Sequence, residues 1–174
     1  MNVHRYGWGW TRLLSDRSVQ NLVTCGPVGY WGKAPGTNGS VVGIVFYTLF
    51  FYQAPVFTHV MAGLFLVWLA SALCDEGERR LQKRDPGEII LDEIIAVPLC
   101  FVGVHFWMNQ TGYVWLYLLA GFLLFRLFDI MKPFGIRKLQ SWPGGWGVVV
   151  DDVAAAAATA ACLHLGGYLA VHFL

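Results

Sequence analysis

Three observations predict an all-α, polytopic helical membrane protein, with four to five transmembrane helices and a Gly/Pro-rich re-entrant or interfacial N-terminal loop. Hydrophobic residues make up 56% and aromatic residues 16% of the 174-residue chain, and the mean hydropathy of +0.52 exceeds what a soluble domain usually carries. The apolar residues fall in runs suited to a bilayer. The charged residues, 12 Lys and Arg against 11 Asp and Glu, are segregated between those runs. A chain of this length fits one integral membrane domain, residues 21–174, behind a short N-terminal segment, residues 1–20. This composition leaves no room for a large soluble domain and gives no sign of a nucleic-acid partner.

The segment 1–20 places Arg5, Arg12 and Arg17 beside Trp8 and Trp10, which suits a membrane interface and equally a tail without fixed structure. It lacks the apolar core and small-residue cleavage site of a signal peptide, so insertion is expected to rest on internal spans. Cys25 to Ser40 is rich in Gly and Pro and reads as a loop or re-entrant segment. Val41 to Tyr52 is about 18 Å long as a helix, and crosses only if it starts earlier, tilts or thins the bilayer. Val56 to Cys74 is a full span, followed by a charged loop from Asp75 to Glu88. Ile89 to Trp107 is a third span, with Asp92 and Glu93 near its start and Pro98 as a kink. A short turn, Met108 to Gly112, leads into Tyr113 to Met131, then a basic loop from Lys132 to Gly145 and a last span from near Gly147.

Every Lys and Arg falls in the N-terminal part up to residue 40, the 75–88 loop or residues 126–138. The positive-inside rule puts these three regions in the cytoplasm, and the acidic residues lie on the same side. Cys25, Cys74, Cys100 and Cys162 show no metal-ligand spacing and read as small buried hydrophobes. Cys74 and Arg80 have the C-x5-R spacing of cysteine phosphatases, but the intervening D-E-G-E-R would repel a phosphate and disfavour a thiolate.

Four constellations carry chemistry. In D-P-G-E-I-I-L-D-E, Glu88 and Asp92 would share a helix face with Glu93 about 100° away, a set that needs a cation or else is a solvated acidic helix start. In F-R-L-F-D-I-M-K-P, Arg126, Asp129 and Lys132 recur every three residues, either as an intrahelical salt bridge or as a phosphate clamp beside a metal ligand. In P-G-G-W-G-V-V-V-D-D, Asp151 and Asp152 cap a helix or serve a site, and the glycines imply close backbone approach. In K-A-P-G-T-N-G-S, Lys33, Gly36, Thr37, Gly39 and Ser40 resemble an anion-binding nest, although a turn with an N-cap at Ser40 explains the composition as well.

Taken together, Asp92, Glu93, Asp129, Asp151 and Asp152 come from three spans and share one membrane face. Such hard oxygen ligands suit Mg2+, while Lys33, Arg126, Lys132 and Arg137 would hold an anionic group. The joint pattern is that of a metal-assisted phosphoryl enzyme at a membrane surface. An ion- or proton-coupled small transporter is the rival reading, yet ionisable residues near the midplane and an inverted repeat are both missing.

The stretches A-P-G-T-N-G-S, D-P-G-E-I-I-L-D-E-I-I, L-F-R-L-F-D-I-M-K-P-F-G-I-R and G-G-W-G-V-V-V-D-D, in this order, resemble the phosphatidylglycerophosphatase A family of small bacterial inner-membrane enzymes. The resemblance implies a Mg2+-dependent hydrolase that converts phosphatidylglycerol phosphate in the bilayer to phosphatidylglycerol and inorganic phosphate. Ala96 and Ala156 stand where the family often has Gly, and Leu91 where Trp is frequent. No charged motif residue is lost. The five carboxylates are expected to hold Mg2+ and activate water, and Lys33, Gly36, Thr37, Gly39, Ser40, Arg126, Lys132 and Arg137 to bind phosphate. The sequence carries no signal for an oligomeric state.

Overall fold

A computed structural model describes residues 8–133 and 135–173. Arg5 and the rest of residues 1–7, part of the expected interfacial segment, lie outside the described residues. Seven α-helices occur among them, and no strand: α1 (Asp16–Val23), α2 (Pro35–Phe50), α3 (Val56–Leu81), α4 (Leu91–Leu99), α5 (His105–Thr111), α6 (Val114–Met131) and α7 (Gly145–Phe173). Only α3, α6 and α7 are long and apolar enough to cross a membrane. Of the expected four to five spans, three are matched by such helices among the described residues, with shorter helices packed among them.

The Gly/Pro-rich stretch is not a loop throughout, because Pro35 opens α2 and residues 36–40 are helical. Proline suits the first helical position, where its missing N–H costs nothing. Ser40, a possible cap by sequence, lies inside the helix and donates from Oγ to the Gly36 carbonyl at 2.8 Å. The glycines serve packing. Gly36, Gly39 and Gly43 lie on the face of α2 against α4, and a Cβ on Gly43 would sit 2.7 Å from Val97 Cβ. At 16 residues, α2 is about 24 Å long.

Two further boundaries differ from the sequence reading. The helix α3 continues to Leu81, so Asp75–Leu81 are its last two turns and not the start of a charged loop. Their burial explains the extension: Asp75, Glu76 and Glu78 are each 5% exposed or less. Glu76 pairs with Arg79 and Arg80, and Arg80 reaches Asp16 at 2.7 Å, tying α1 to α3. Glu88 falls in the turn before α4, next to Lys83 at 3.5 Å, and does not share a helix face with Asp92. Arg80 is thus occupied and Cys74 fully buried, which removes the cysteine-phosphatase geometry. Cys100 is buried as expected, but Cys162 is exposed on the outer surface of α7.

The expected third span is broken. After α4 the chain turns through residues 100–104, with Gly103 at φ +74°, and Met108, expected in a turn, belongs to α5. Backbone irregularity inside an apolar bundle needs substitute hydrogen-bond partners. Two histidines provide them. His59 Nε2 on α3 donates to the Pro98 carbonyl at 3.1 Å, and His164 Nε2 on α7 donates to the Val102 carbonyl at 2.9 Å. His164 Nδ1 accepts from the Trp107 indole at 2.9 Å, which fixes its tautomer. Replacing His164 with Phe is expected to cost about 2–4 kcal/mol, because it strands a carbonyl and an indole N–H. Thermal unfolding in detergent would test this; an unchanged midpoint would contradict the assigned role.

The core continues past the break. Tyr47, Val97, Phe101, Phe125, Ala155 and Ala156 form one buried cluster uniting α2, α4, α6 and α7, and Val23, Cys74, Ile90, Ile95 and Val149 form a second. The Ile90 N–H donates to the Val23 carbonyl at 2.9 Å, so α1 directly anchors the start of α4. The short α4, held on several sides, is the element against which the site is assembled.

Candidate active site

The acidic pair Asp92 and Glu93 occupies the first turn of α4, where negative charge is favoured by the helix dipole. Opposite it, Asp151 and Asp152 lie in the second turn of α7. One oxygen each from Asp92, Glu93 and Asp152 fall within 4.8 Å of one another. Helix packing brings this about: a Cβ on Gly145 would stand 1.9 Å from the Ser71 carbonyl oxygen, so the bare backbone of α7 rests on α3. The Gly145 N–H donates to Asp75 Oδ1 at 3.3 Å, securing the first turn. The close approach implied by P-G-G-W-G is thus to α3, and at Gly147 to the Trp142 carbonyl.

The third contribution comes from the end of α6. Arg126 Nη1 donates to Asp129 Oδ2 at 2.6 Å and lies 3.9 Å from Glu93 Oε1 and 3.5 Å from Ser40 Oγ. Lys132 is the left-handed C-cap of α6, at φ 45°, and the turn lets it bridge Asp129 at 3.9 Å and Asp151 on α7. Burial alone would push the Lys132 ammonium down, but the hydrogen bond to Asp151 and the nearby charges of Asp152 and Asp129 outweigh it. Its pKa is raised above the ordinary lysine value, and Lys132 stays charged.

The intrahelical ion pair, one of the two sequence alternatives, is present between Arg126 and Asp129, and Arg126 and Lys132 also approach Glu93 on α4 and Asp151 on α7. From α2, Gly36 lets Glu93 and Arg126 approach, since a Cβ there would sit 2.4 Å from Glu93 Oε1 and 3.0 Å from Arg126 Nη1. Gly39 does the same for Glu93 Oε2 and Ile90. Thr37 is half-buried, while Lys33 and Arg137 are exposed. Among the described residues, none of these three makes a side-chain hydrogen bond or ion pair to the cluster.

Asp92 Oδ1, Glu93 Oε2, Asp151 Oδ1 and Arg126 Nε are buried without a hydrogen-bond partner. Orphaned buried polar atoms are costly and rare in folded proteins. Five carboxylates here face two cations, an imbalance that a divalent ion would largely offset. The donor set is all oxygen, as a hard cation such as Mg2+ requires. On both counts the residues fit one.

Residues that sequence reasoning passed over support this arrangement from behind. Asp75 holds the start of α7, and Glu78 Oε1 accepts from the Asp85 N–H at 2.6 Å at the approach to α4. Their burial arises only from tertiary packing, and the sequence offers no periodic signal for it.

The chain is 31% identical over 130 residues to a Bacteroides thetaiotaomicron protein that carries the provisional name phosphatidylinositol-3-phosphatase, covering 73% of this chain and 79% of the relative. It is 32% identical over 124 residues to phosphatidylglycerophosphatase A of Haemophilus influenzae, covering 71% and 72%. With phosphatidylglycerophosphatase A of Escherichia coli it shares 28% identity over 135 residues, covering 77% and 74%. No solved structure matches the chain. The family profile of phosphatidylglycerophosphatase A matches residues 21–166, a range that contains every residue of the acidic cluster. The chain belongs to the phosphatidylglycerophosphatase A family of phosphoric monoester hydrolases.

Proposed function

We propose that the protein hydrolyses phosphatidylglycerol phosphate to phosphatidylglycerol and inorganic phosphate, in a Mg2+-dependent reaction at the cytoplasmic face of the bacterial inner membrane. The observation that carries this reading is the set of buried, unpartnered oxygens of Asp92, Glu93 and Asp151 beside Arg126 and Lys132. Segregation of the basic residues to one side supports the cytoplasmic face. The relatives' names share a chemistry: each denotes a phosphatase acting on a lipid whose head group is a phosphorylated polyol, glycerol or inositol.

In this reading Asp92, Glu93 and Asp152 hold the cation. When bound, Mg2+ supplies Lewis-acid polarisation of a phosphoryl oxygen and lowers the pKa of a water. Arg126 offers its fork to phosphate oxygens, and Lys132 adds a point charge where negative charge gathers in the transition state. Asp129 and Asp151 orient these two cations from α6 and α7. Asp151 Oδ1, buried and without a donor, would take a proton from the attacking water. Gly36, Gly39 and Ser40 hold α2 close enough for Arg126 to stay extended toward the cluster. The acyl chains remain in the bilayer beside α2 and α6, whose outward faces expose Val41, Val45, Leu123 and Leu127.

Phosphate release from phosphatidylglycerol phosphate in detergent micelles tests the proposal. Release is expected to stop with EDTA and return with Mg2+. Activity that ignores EDTA would remove the cation from the reading, and an inert purified protein would remove the substrate.

A further inference from the structure

Asp85 is not among the carboxylates that form the cluster, yet its placement is tightly specified. It stands at φ +47° although it is not glycine and precedes Pro86, a position where extended backbone is favoured. Backbone of this kind persists only where surrounding contacts impose it. Two are present. The Asp85 N–H donates to Oε1 of buried Glu78 at 2.6 Å, and Gln140 Nε2 donates to Asp85 Oδ2 at 3.4 Å. Next to it, Arg84 Nη2 donates to the Gln140 carbonyl at 2.8 Å, so the loop is stapled to the 3-10 turn before α7 at two adjacent residues.

These ties place Asp85 at the rim of the site. On one side the chain runs through buried Pro86 and the turn that closes with Ile89 N–H on the Pro86 carbonyl, then into Asp92. On the other side the Gln140 carbonyl lies against Gly147, one helical turn before Asp151. The buried, unpartnered atoms Asp92 Oδ1 and Asp151 Oδ1 lie on α4 and α7, the two helices to which these ties lead. Its own carboxylate is exposed and, among the described residues, has no ion pair.

We infer that Asp85 is a specificity-determining residue, whose carboxylate accepts a hydrogen bond from a free hydroxyl of the polyol head group that carries the scissile phosphate. The inference rests on the proposed phosphatase reading and names the feature of the substrate that the rim recognises. A carboxylate that makes no ion pair repels phosphate oxygens and attracts a hydroxyl donor, so it suits the part of the head group next to the phosphate. Arg126 and Lys132 bind the phosphate; Asp85 reads its carrier. A site built to bond a substrate hydroxyl discriminates against the analogue that lacks it.

The test pairs a change in the protein with a change in the lipid. Asp85→Gly suits the positive φ, retains the N–H to Glu78 and removes the carboxylate together with its contact to Gln140, while Arg84 still holds the Gln140 carbonyl; Asp85→Asn retains shape and removes the charge. The lipid changes from phosphatidylglycerol phosphate to the same lipid with a phosphorylated 1,3-propanediol head group, which lacks the free hydroxyl. The unaltered protein is expected to prefer the glycerol lipid by about tenfold in kcat/KM. Asp85→Gly should lose about that factor on the glycerol lipid, Asp85→Asn, whose amide oxygen still accepts, a smaller part of it, and both almost nothing on the propanediol lipid. Equal rates on both lipids for the unaltered protein, or equal losses on both for the variants, would overturn the inference. Absence of phosphate release from the glycerol lipid by the unaltered protein would instead remove the underlying phosphatase reading, and the inference with it.

Discussion

Asp152→Asn is expected to lower phosphate release by about a thousandfold or more, with the protein still folded. Asp152 is the α7 member of the three-oxygen cluster and is 4% exposed. The amide is nearly the same size, so helix packing is retained. It removes a negative charge and replaces one oxygen by an N–H donor that a cation cannot use. The stability consequences separate loss of chemistry from loss of fold. Without metal, Asp152 crowds Asp92 and Glu93, so neutralising it should leave the melting point unchanged or raise it. With Mg2+ at about a hundred times its dissociation constant, the unaltered protein should gain about 2.7 kcal/mol from binding. Asp152→Asn should gain almost none. Thermal unfolding in detergent with and without Mg2+, alongside phosphate release, measures both. A variant that keeps the Mg2+-dependent gain and most of the activity would exclude Asp152 from the cation site.

Local spacing made the charged members of this site readable. Arg126, Asp129 and Lys132 recur at helical intervals in an apolar run, and the Asp92–Glu93 and Asp151–Asp152 pairs are anomalies beside such runs. What spacing could not convey was which partners these residues meet. The structure separates Asp92, Glu93 and Asp152, mutually close, from Asp129 and Asp151, which are engaged by Arg126 and Lys132. That division depends on the angle between α4, α6 and α7, and no local pattern encodes it.

The misread boundaries have a common physical origin. Gly36 and Gly39 look like helix breakers because glycine is costly in an isolated helix, but here the close contact of α2 with Glu93, Arg126 and Ile90 requires them. Residues 89–107 look like one span because they are apolar. The break at 100–104 is sustained by His59 and His164, which lie far away in sequence. The last turns of α3 look like a loop because they are charged, yet Asp75, Glu76 and Glu78 are buried and bonded. In each case tertiary contacts override local preference.

Gly145→Ala is expected to show how directly packing controls the chemistry. The added methyl would stand 1.9 Å from the Ser71 carbonyl oxygen and 2.6 Å from the Asp75 backbone nitrogen. Both are backbone atoms within α3, so no side-chain rotation relieves the clash. The first turn of α7 must lift away, and the Gly145 N–H then loses Asp75 Oδ1. Overpacking at a closed helix contact costs about 1–3 kcal/mol, and loss of this cap adds about 1 kcal/mol. The larger effect should fall on activity. Asp151 and Asp152 lie six and seven residues further along the same helix, so a displacement of about 1 Å at Gly145 carries them away from Lys132 and from Asp92 and Glu93. A misplacement of that size can cost about a hundredfold in rate. The expected result is a folded variant with a lowered melting point, about a hundredfold less phosphate release and weaker stabilisation by Mg2+. Ala154→Gly supplies the contrast, since it loosens α7 without forcing it off α3, and should lower stability by about 1 kcal/mol while leaving Mg2+ stabilisation intact. If Gly145→Ala kept full activity and full Mg2+ stabilisation, the contact between α3 and α7 would not be what positions the paired aspartates.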